Sequence, residues 1–216
     1  MEKEALKRIF EFLEEKGEHK TPFLWKWENG EPLTEEELNI EGDLDLQDRK
    51  ITTLPKGLKI SGWLDLSRSK IKSIPEGLKV GTNLDLSDTP ITSLPEGLKV
   101  KGIFNLQNTS ITSLPEDLKV GSLSLYNTKI ISLPKGLKVR FFLYLVNTKI
   151  TSLPKGLEIG DSLFLVRTSI TSLPKGLKVG GHLDITESEL PYYYKNNDHL
   201  RKSIEPGFIK GKILRQ

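Results

Sequence analysis

The strongest constraint on this chain is that it repeats itself. Residues Leu84 to Val100 set out a phrase, L-x-L-x-x-T-x-I-x-x-L-P-x-G-L-x-V, and most of the remaining sequence restates it. Aligned on the Leu-x-Leu triplet, the copies start at Leu44, Leu64, Leu84, Phe104, Leu123, Leu143, Leu163 and Leu183, a step of 20 residues with a single step of 19. The last copy breaks off at Leu190-Pro191. Units of this size are too small to bury an apolar side alone, so they must stack on one another as a solenoid.

The phrase reads physically as one coil. Leu84 and Leu86 alternate with Asp85 and Ser87, the period of a strand with one buried face. Strands separated by one repeat must run parallel, because the chain returns to the same edge before starting each one. Ile91 and Leu94 then turn inward. Pro95 holds Leu94 extended, and Gly97 supplies a position where a positive φ is cheap, so the chain corners there. Leu98 and Val100 alternate with Lys99, which makes the return leg extended. The expected coil has about three sides and no helix, as the Pro and Gly content demands.

Two substitutions test this reading. Asp117 replaces the corner glycine, and Asp is among the few residues that tolerate a left-handed backbone, so the corner is expected to survive. The position of Thr89 holds Arg49, Ser69, Thr109, Thr128, Thr148, Thr168 and Ser188 elsewhere. A column of hydroxyls with no histidine at a fixed offset is a structural ladder, expected to bond turn backbone in the neighbouring coil.

From Leu38 to Pro191 the pattern resembles leucine-rich repeats, and the short period with its Leu-Pro step is similar to the bacterial type found in secreted effectors and phage genomes. Where leucine-rich repeats usually carry Asn this chain has Thr, and the Leu that normally opens the strand segment is replaced by residues such as Gly81. The resemblance implies a narrow coil, protein binding on the strand face, and a host-directed or defence-related target. Related effectors can carry a cysteine-dependent ubiquitin ligase domain, but this sequence contains no cysteine.

Composition narrows the rest. The 216 residues include 32 basic and 29 acidic side chains, a balance that gives no strong bias toward nucleic acid. The lack of cysteine removes disulfides, thiolate metal sites and cysteine nucleophiles. No apolar run reaches membrane-spanning length, and Met1 to Lys20 is too charged for a secretory signal, so a cytoplasmic protein is expected, with delivery into a host by another route left open.

Three domains are expected: 1–37, a helical N-terminal cap; 38–191, the solenoid of about eight units; and 192–216, a small C-terminal cap. Residues 2–16 form a helix with Ala5, Leu6, Ile9, Phe10 and Leu13 on one face, ended by Gly17; with Phe23, Leu24, Trp25 and Trp27 it suits covering an exposed apolar coil, or else binding a partner. After Leu190-Pro191 come Tyr192-Tyr193-Tyr194, a short helix begun by Asp198 over Leu200 and Ile204, a Pro206-Gly207 turn and an extended Phe208-Ile209 to Ile213-Leu214 segment. The basic tail residues Lys202, Lys210, Lys212 and Arg215 read as a solvated terminus.

Function in a repeat protein lies where the units differ. Along the exposed strand face, the earlier units present Asp43, Asp45, Asp48, Asp65, Asp85 and Asp88, whereas later ones present Tyr126, Tyr144, Val146, Phe164 and Val166, bordered by Phe142 and rimmed by Asn127, Asn147 and Arg167. An aromatic and aliphatic cluster with such a rim has the composition of an interaction hot spot. It is expected to bind a protein partner, with self-association or cover by the tyrosines of the tail as alternatives. The acidic end is a hydrated face or a lure for a basic partner. Lys59, Lys79, Lys99, Lys119, Lys138 and Lys178 line the return leg as a solubilising column.

Nothing in the sequence calls for catalysis or a cofactor. His19, His182 and His199 are scattered, and only His182, near Asp184 and Glu187, could be imagined as a metal or acid-base site. The sequence thus describes a capped leucine-rich-repeat solenoid, with one parallel β-sheet and extended return legs, acting as a non-enzymatic adaptor or inhibitor of a protein partner. Its competitors are a self-associating component of a larger assembly, such as a virion part, and an acidic-surface inhibitor of a nucleic-acid-binding enzyme.

Overall fold

A computed structural model describes residues 2–15 and 22–215, and it divides into two compact units, Met1–Asn39 and Ile40–Gln216. In the first, α1 (Glu2–Glu15) makes an aromatic contact with α2 (Phe23–Glu28) and an ionic one with the segment that follows it. Phe10 meets Trp25 edge-on with centroids 5.1 Å apart, and the Lys7 ammonium lies 3.1 Å from Glu31. Thr34 and Glu37 bond each other reciprocally, each backbone N–H donating to the other's side chain, which is the capping-box exchange. Burial raises the Glu37 carboxyl, but its bonds to Lys26 and Thr34 outweigh that and hold it below its ordinary range. Leu6 and Ile9, expected on a covered face, are exposed. Lys16, Gly17 and His19 lie outside the described residues.

The second unit is a parallel β-solenoid with a strand on two sides of every coil. The Leu-x-Leu segments pair in register, Leu44 with Leu64, Leu64 with Leu84, Leu84 with Phe104, and so on to Leu163 with Leu183. The return legs, expected to be extended, form a second parallel ladder, in which Lys59 pairs with Lys79, Lys119 with Lys138 across the shorter step, and Glu158 with Lys178. At the strand ends Leu44 N–H donates to Trp63 C=O at 2.9 Å in the Leu-x-Leu ladder and Gly81 N–H to Ile60 C=O at 2.8 Å in the return ladder; within each ladder the bonds alternate in sense, as parallel pairing requires.

Between the ladders lies a core built from the same positions of each unit. Leu84, Leu86, Ile91, Leu98 and Val100 are all buried, and Phe104 fills a leucine position with no exposure. Burial of each such side chain contributes about 2 kcal/mol. The 19-residue step is absorbed at a corner: pairing runs Val100 with Val120, then Ile103 with Ser122, so one extra residue bulges between Val100 and Ile103. There the two ladders fuse, in the long strands Lys99–Asn105 and Lys119–Ser124.

Corner chemistry follows the expectation in most coils and departs from it in one region. Gly57, Gly77, Gly97, Gly156 and Gly176 have positive φ, as the third residue of a type II turn requires. Asp117 does not: its turn closes through Leu118 N–H to Pro115 C=O at 3.3 Å with Asp117 outside the left-handed region, and the adjoining Gly136 follows suit. The corner survives by changing turn type, not by Asp tolerating a positive φ. A type I turn imposes no such demand at that position.

The tail contains more of the repeat than its sequence suggests. Asn196, not Asp198, caps α3 (Asn197–Ser203), its side chain accepting the N–H groups of Asp198 and His199. Leu200 and Ile204 are fully buried. Beyond Pro206-Gly207 the chain re-enters both ladders, Phe208 pairing with Lys178 and Ile213 with Leu183. The corresponding offset is 30 residues, as between His182 and Lys212, so the insertion carrying α3 hides one further coil. Arg201 from α3 donates to the Ile209 carbonyl and, at 3.1 Å, to that of Gly211, the outward acceptors that a following coil would have used.

Candidate protein-interaction face

The turn after each Leu-x-Leu strand decides which exposed residues remain available. Asp48, Arg68, Asp88, Asn108, Asn127, Asn147, Arg167 and Glu187 all occupy the left-handed region, with φ between 53° and 59°. Asn and Asp are among the residues that tolerate it best, and in every coil the side chain projects beside its neighbours in the next. They form a ladder of their own. Asn108 donates to Asp88, Asn127 to Asn108 and Asn147 to Asn127 at 2.8–2.9 Å, while Arg68 grips Asp48 and Arg167 grips Glu187 through its guanidinium. The Arg167 bond holds the Glu187 carboxyl below its ordinary range, and Arg68 does the same to Asp48.

The residues expected as a polar rim, Asn127, Asn147 and Arg167, therefore have their side chains engaged along the solenoid. Beside this ladder runs the buried hydroxyl column. Thr89, Thr109, Thr128, Thr148 and Thr168 donate to the carbonyl three residues earlier, Leu86, Leu106, Leu125, Leu145 and Leu165. These bonds close the turn of the same coil and do not reach the neighbouring one, because the left-handed residue before each Thr brings its hydroxyl back over its own strand end.

The acidic residues are also drawn into the scaffold. The Asp45, Asp65 and Asp85 carboxylates accept the N–H two residues on, at 2.8–3.0 Å. Asp85 additionally takes the Ser87 hydroxyl and the Asn105 amide. Asp43 accepts the Trp63 N–H across the coil boundary at 2.8 Å. Asn83, Ser122, Ser162 and His182 do the same for Ile103, Phe142, His182 and Lys212. Through the first four of these acceptors and their receiving residues, short polar side chains alternate with bulky ones from coil to coil. This two-coil period was readable as Asp43, Trp63, Asn83, Ile103, Ser122, Phe142, Ser162, His182, and only the single-coil alignment hid it.

His182 is thereby placed. Its Nδ1 accepts the Lys212 N–H at 2.8 Å, while Glu187 is held by Arg167, so the imagined grouping with Asp184 is not assembled. Among the described residues, no cluster of three His, Asp or Glu has metal-binding geometry.

What the scaffold leaves over is aromatic. Tyr144 and Phe164 stack face to face with centroids 4.6 Å apart and planes 9° from parallel, and Phe142 lies 6.1 Å from Tyr144. The in-register pairing of Leu143-Tyr144 with Leu163-Phe164 dictates the stack, since side chains at paired positions rise from one face about 4.8 Å apart. Val146 and Val166 occupy the next outward position on the same strands and are half-buried, like Phe142, Tyr144 and Phe164; Tyr126 is 40% exposed. The tail tyrosines are engaged elsewhere, Tyr194 buried with its hydroxyl accepting the Leu173 N–H, and Tyr193 against its ring.

No family model and no curated protein matches the chain. Among solved structures it is similar to the LRR domain of a Shigella effector, with 21% identity and a TM-score of 0.56 over 80% of each chain. This chain folds as a leucine-rich repeat. The repeat here is of the short-period type, and its return leg is a strand. Among the described residues, no helix is long and apolar enough to cross a membrane.

Proposed function

We propose that this leucine-rich repeat is a non-enzymatic protein-binding module, an adaptor or inhibitor, whose partner seats on Tyr126, Phe142, Tyr144, Val146, Phe164 and Val166. The observation that carries the reading is the Tyr144–Phe164 stack. It is a rigid, preorganised aromatic surface on a regular sheet, while the polar side chains beside it are bonded to the scaffold. Aromatic anchors lose little conformational entropy on binding and dominate interface energetics. Asn127, Asn147 and Arg167 border the contact as a fixed polar edge. The likeness to an effector LRR domain supports a bacterial or phage effector acting on a host or defence protein, inside the cytoplasm of the cell it acts in.

Affinity capture tests it. The natural protein should retain one partner from lysate of its source or host that a folded Tyr144→Asp/Phe164→Asp variant loses; equal capture by both removes the aromatic face as the site. Self-association through the same patch would instead appear as a concentration-dependent dimer abolished by the same pair. An acidic-end inhibitor would keep its partner in this variant and lose it as salt rises.

A further inference from the structure

The return ladder, expected to be a solubilising surface, is indented among its later coils. A groove of about 760 Å³ runs across its successive strands, lined by Lys119, Lys135, Lys138, Arg140, Lys178 and Lys210, with Glu158 as its one carboxylate. Its floor is the return legs, among them Val139, Ile159, Gly160 and Gly180. Neither glycine can carry a side chain, since a Cβ would meet a carbonyl oxygen of the preceding coil at 1.9–2.0 Å. The close approach of successive coils at these glycines fixes the spacing of the strands that line the groove.

We propose that this groove binds an extended acidic polypeptide segment of a partner. Charge complementarity is the ground for it: six cations converge on a concave surface, and the only acid there, Glu158, has its charge opposed by Lys178 at 2.5 Å. Single-stranded nucleic acid needs stacking platforms for its bases, and the groove's one aromatic ring, Phe208, has the Lys210 ammonium over it at 5.6 Å. A flat anionic membrane cannot reach the floor of a concave site. An extended peptide fits the groove lengthwise, placing alternate carboxylates among the lysines. The backbone groups of the floor are occupied by ladder bonds, so recognition is by side-chain charge and is salt-sensitive.

The test is fluorescence anisotropy with a labelled oligoglutamate peptide and the full chain. Lys119→Glu/Lys138→Glu should weaken binding about tenfold, while Lys59→Glu/Lys72→Glu, with the same change in net charge outside the groove, should shift it by less than about twofold. Glu158→Gln should tighten binding by about threefold, a gain that misfolding cannot produce. Equal loss in both reversal variants, or no gain from Glu158→Gln, overturns the site. Tighter binding of oligothymidine of equal charge, or of phosphatidylserine vesicles, overturns the occupant. The Tyr144→Asp/Phe164→Asp variant should bind the peptide normally, so failure of the groove and failure of the aromatic face are separable.

Discussion

The two ends of the strand face are made by the same backbone and carry opposite chemistry. In the coils of Asp45, Asp65 and Asp85 the central outward residue bonds the amide two positions on, and Asn105 repeats this with Gln107. In the coils of Tyr144 and Phe164 that position holds rings stacked on each other, and with Asp184 the amide bond returns, to Thr186 at 3.0 Å. The aromatic stretch is therefore a break in a scaffold rule that Asp45, Asp65, Asp85 and Asn105 follow before it and Asp184 follows after it. Residues that look functional because they are charged serve the fold, and residues that look like core because they are aromatic face outward.

That contrast holds only if the scaffold beneath is uniform. Gly81→Ala and Gly160→Ala should therefore be equally damaging, because in each a Cβ would sit within 1.9 Å of a preceding carbonyl oxygen. Each should lose about 3 kcal/mol or more in thermal or urea unfolding, and a mild effect in one alone would show that the halves are built differently.

A crossed pair sharpens the difference between the faces. Asp85→Ala removes the acceptor of three hydrogen bonds and should cost about 2 kcal/mol of stability while sparing partner capture. Tyr144→Ala should cost about 1 kcal/mol of stability from the lost stack and weaken capture more than tenfold. The comparison breaks if Asp85→Ala loses the partner.

The smallest effect is in the turn ladder. The Glu187 carboxyl is held low by Arg167, so the contribution of this pair is present above the ordinary glutamate range and disappears as pH falls through the depressed folded value. An NMR titration should place the Glu187 midpoint below that of a free glutamate, and Arg167→Gln should return it there. An unchanged midpoint would show the guanidinium bond to be absent in solution.

The coil was legible because its signals are one-dimensional. Leu84, Leu86, Ile91 and Leu98 recur at fixed offsets, and a stack is the only way to bury them all. The partners of side chains were less so. The Thr89 column was recognisable as structural, but its acceptor depends on the left-handed turn at Asp88, which a column mixing Asp, Arg, Asn and Glu does not announce. The last coil is not legible in the sequence because ten inserted residues break the period and Phe208, Ile209 and Ile213 stand where the repeat has lysine, valine and leucine. For the candidate face, the aromatic residues were visible in the sequence as a deviation between units. Their stacking geometry and the engagement of Asn127, Asn147 and Arg167 required the register of the strands.

The in-register pairing of each coil with the next carries a consequence for how such a protein changes over generations. Each coil offers the next the same paired backbone positions in both ladders, so the face left by removing a whole unit from the middle matches the face it rejoins. Length is then a nearly free variable, and Arg201, covering the last acceptors, is needed once however many units precede it. A lineage can lengthen or shorten the stack and so slide its aromatic window toward or away from either end without inventing a new contact.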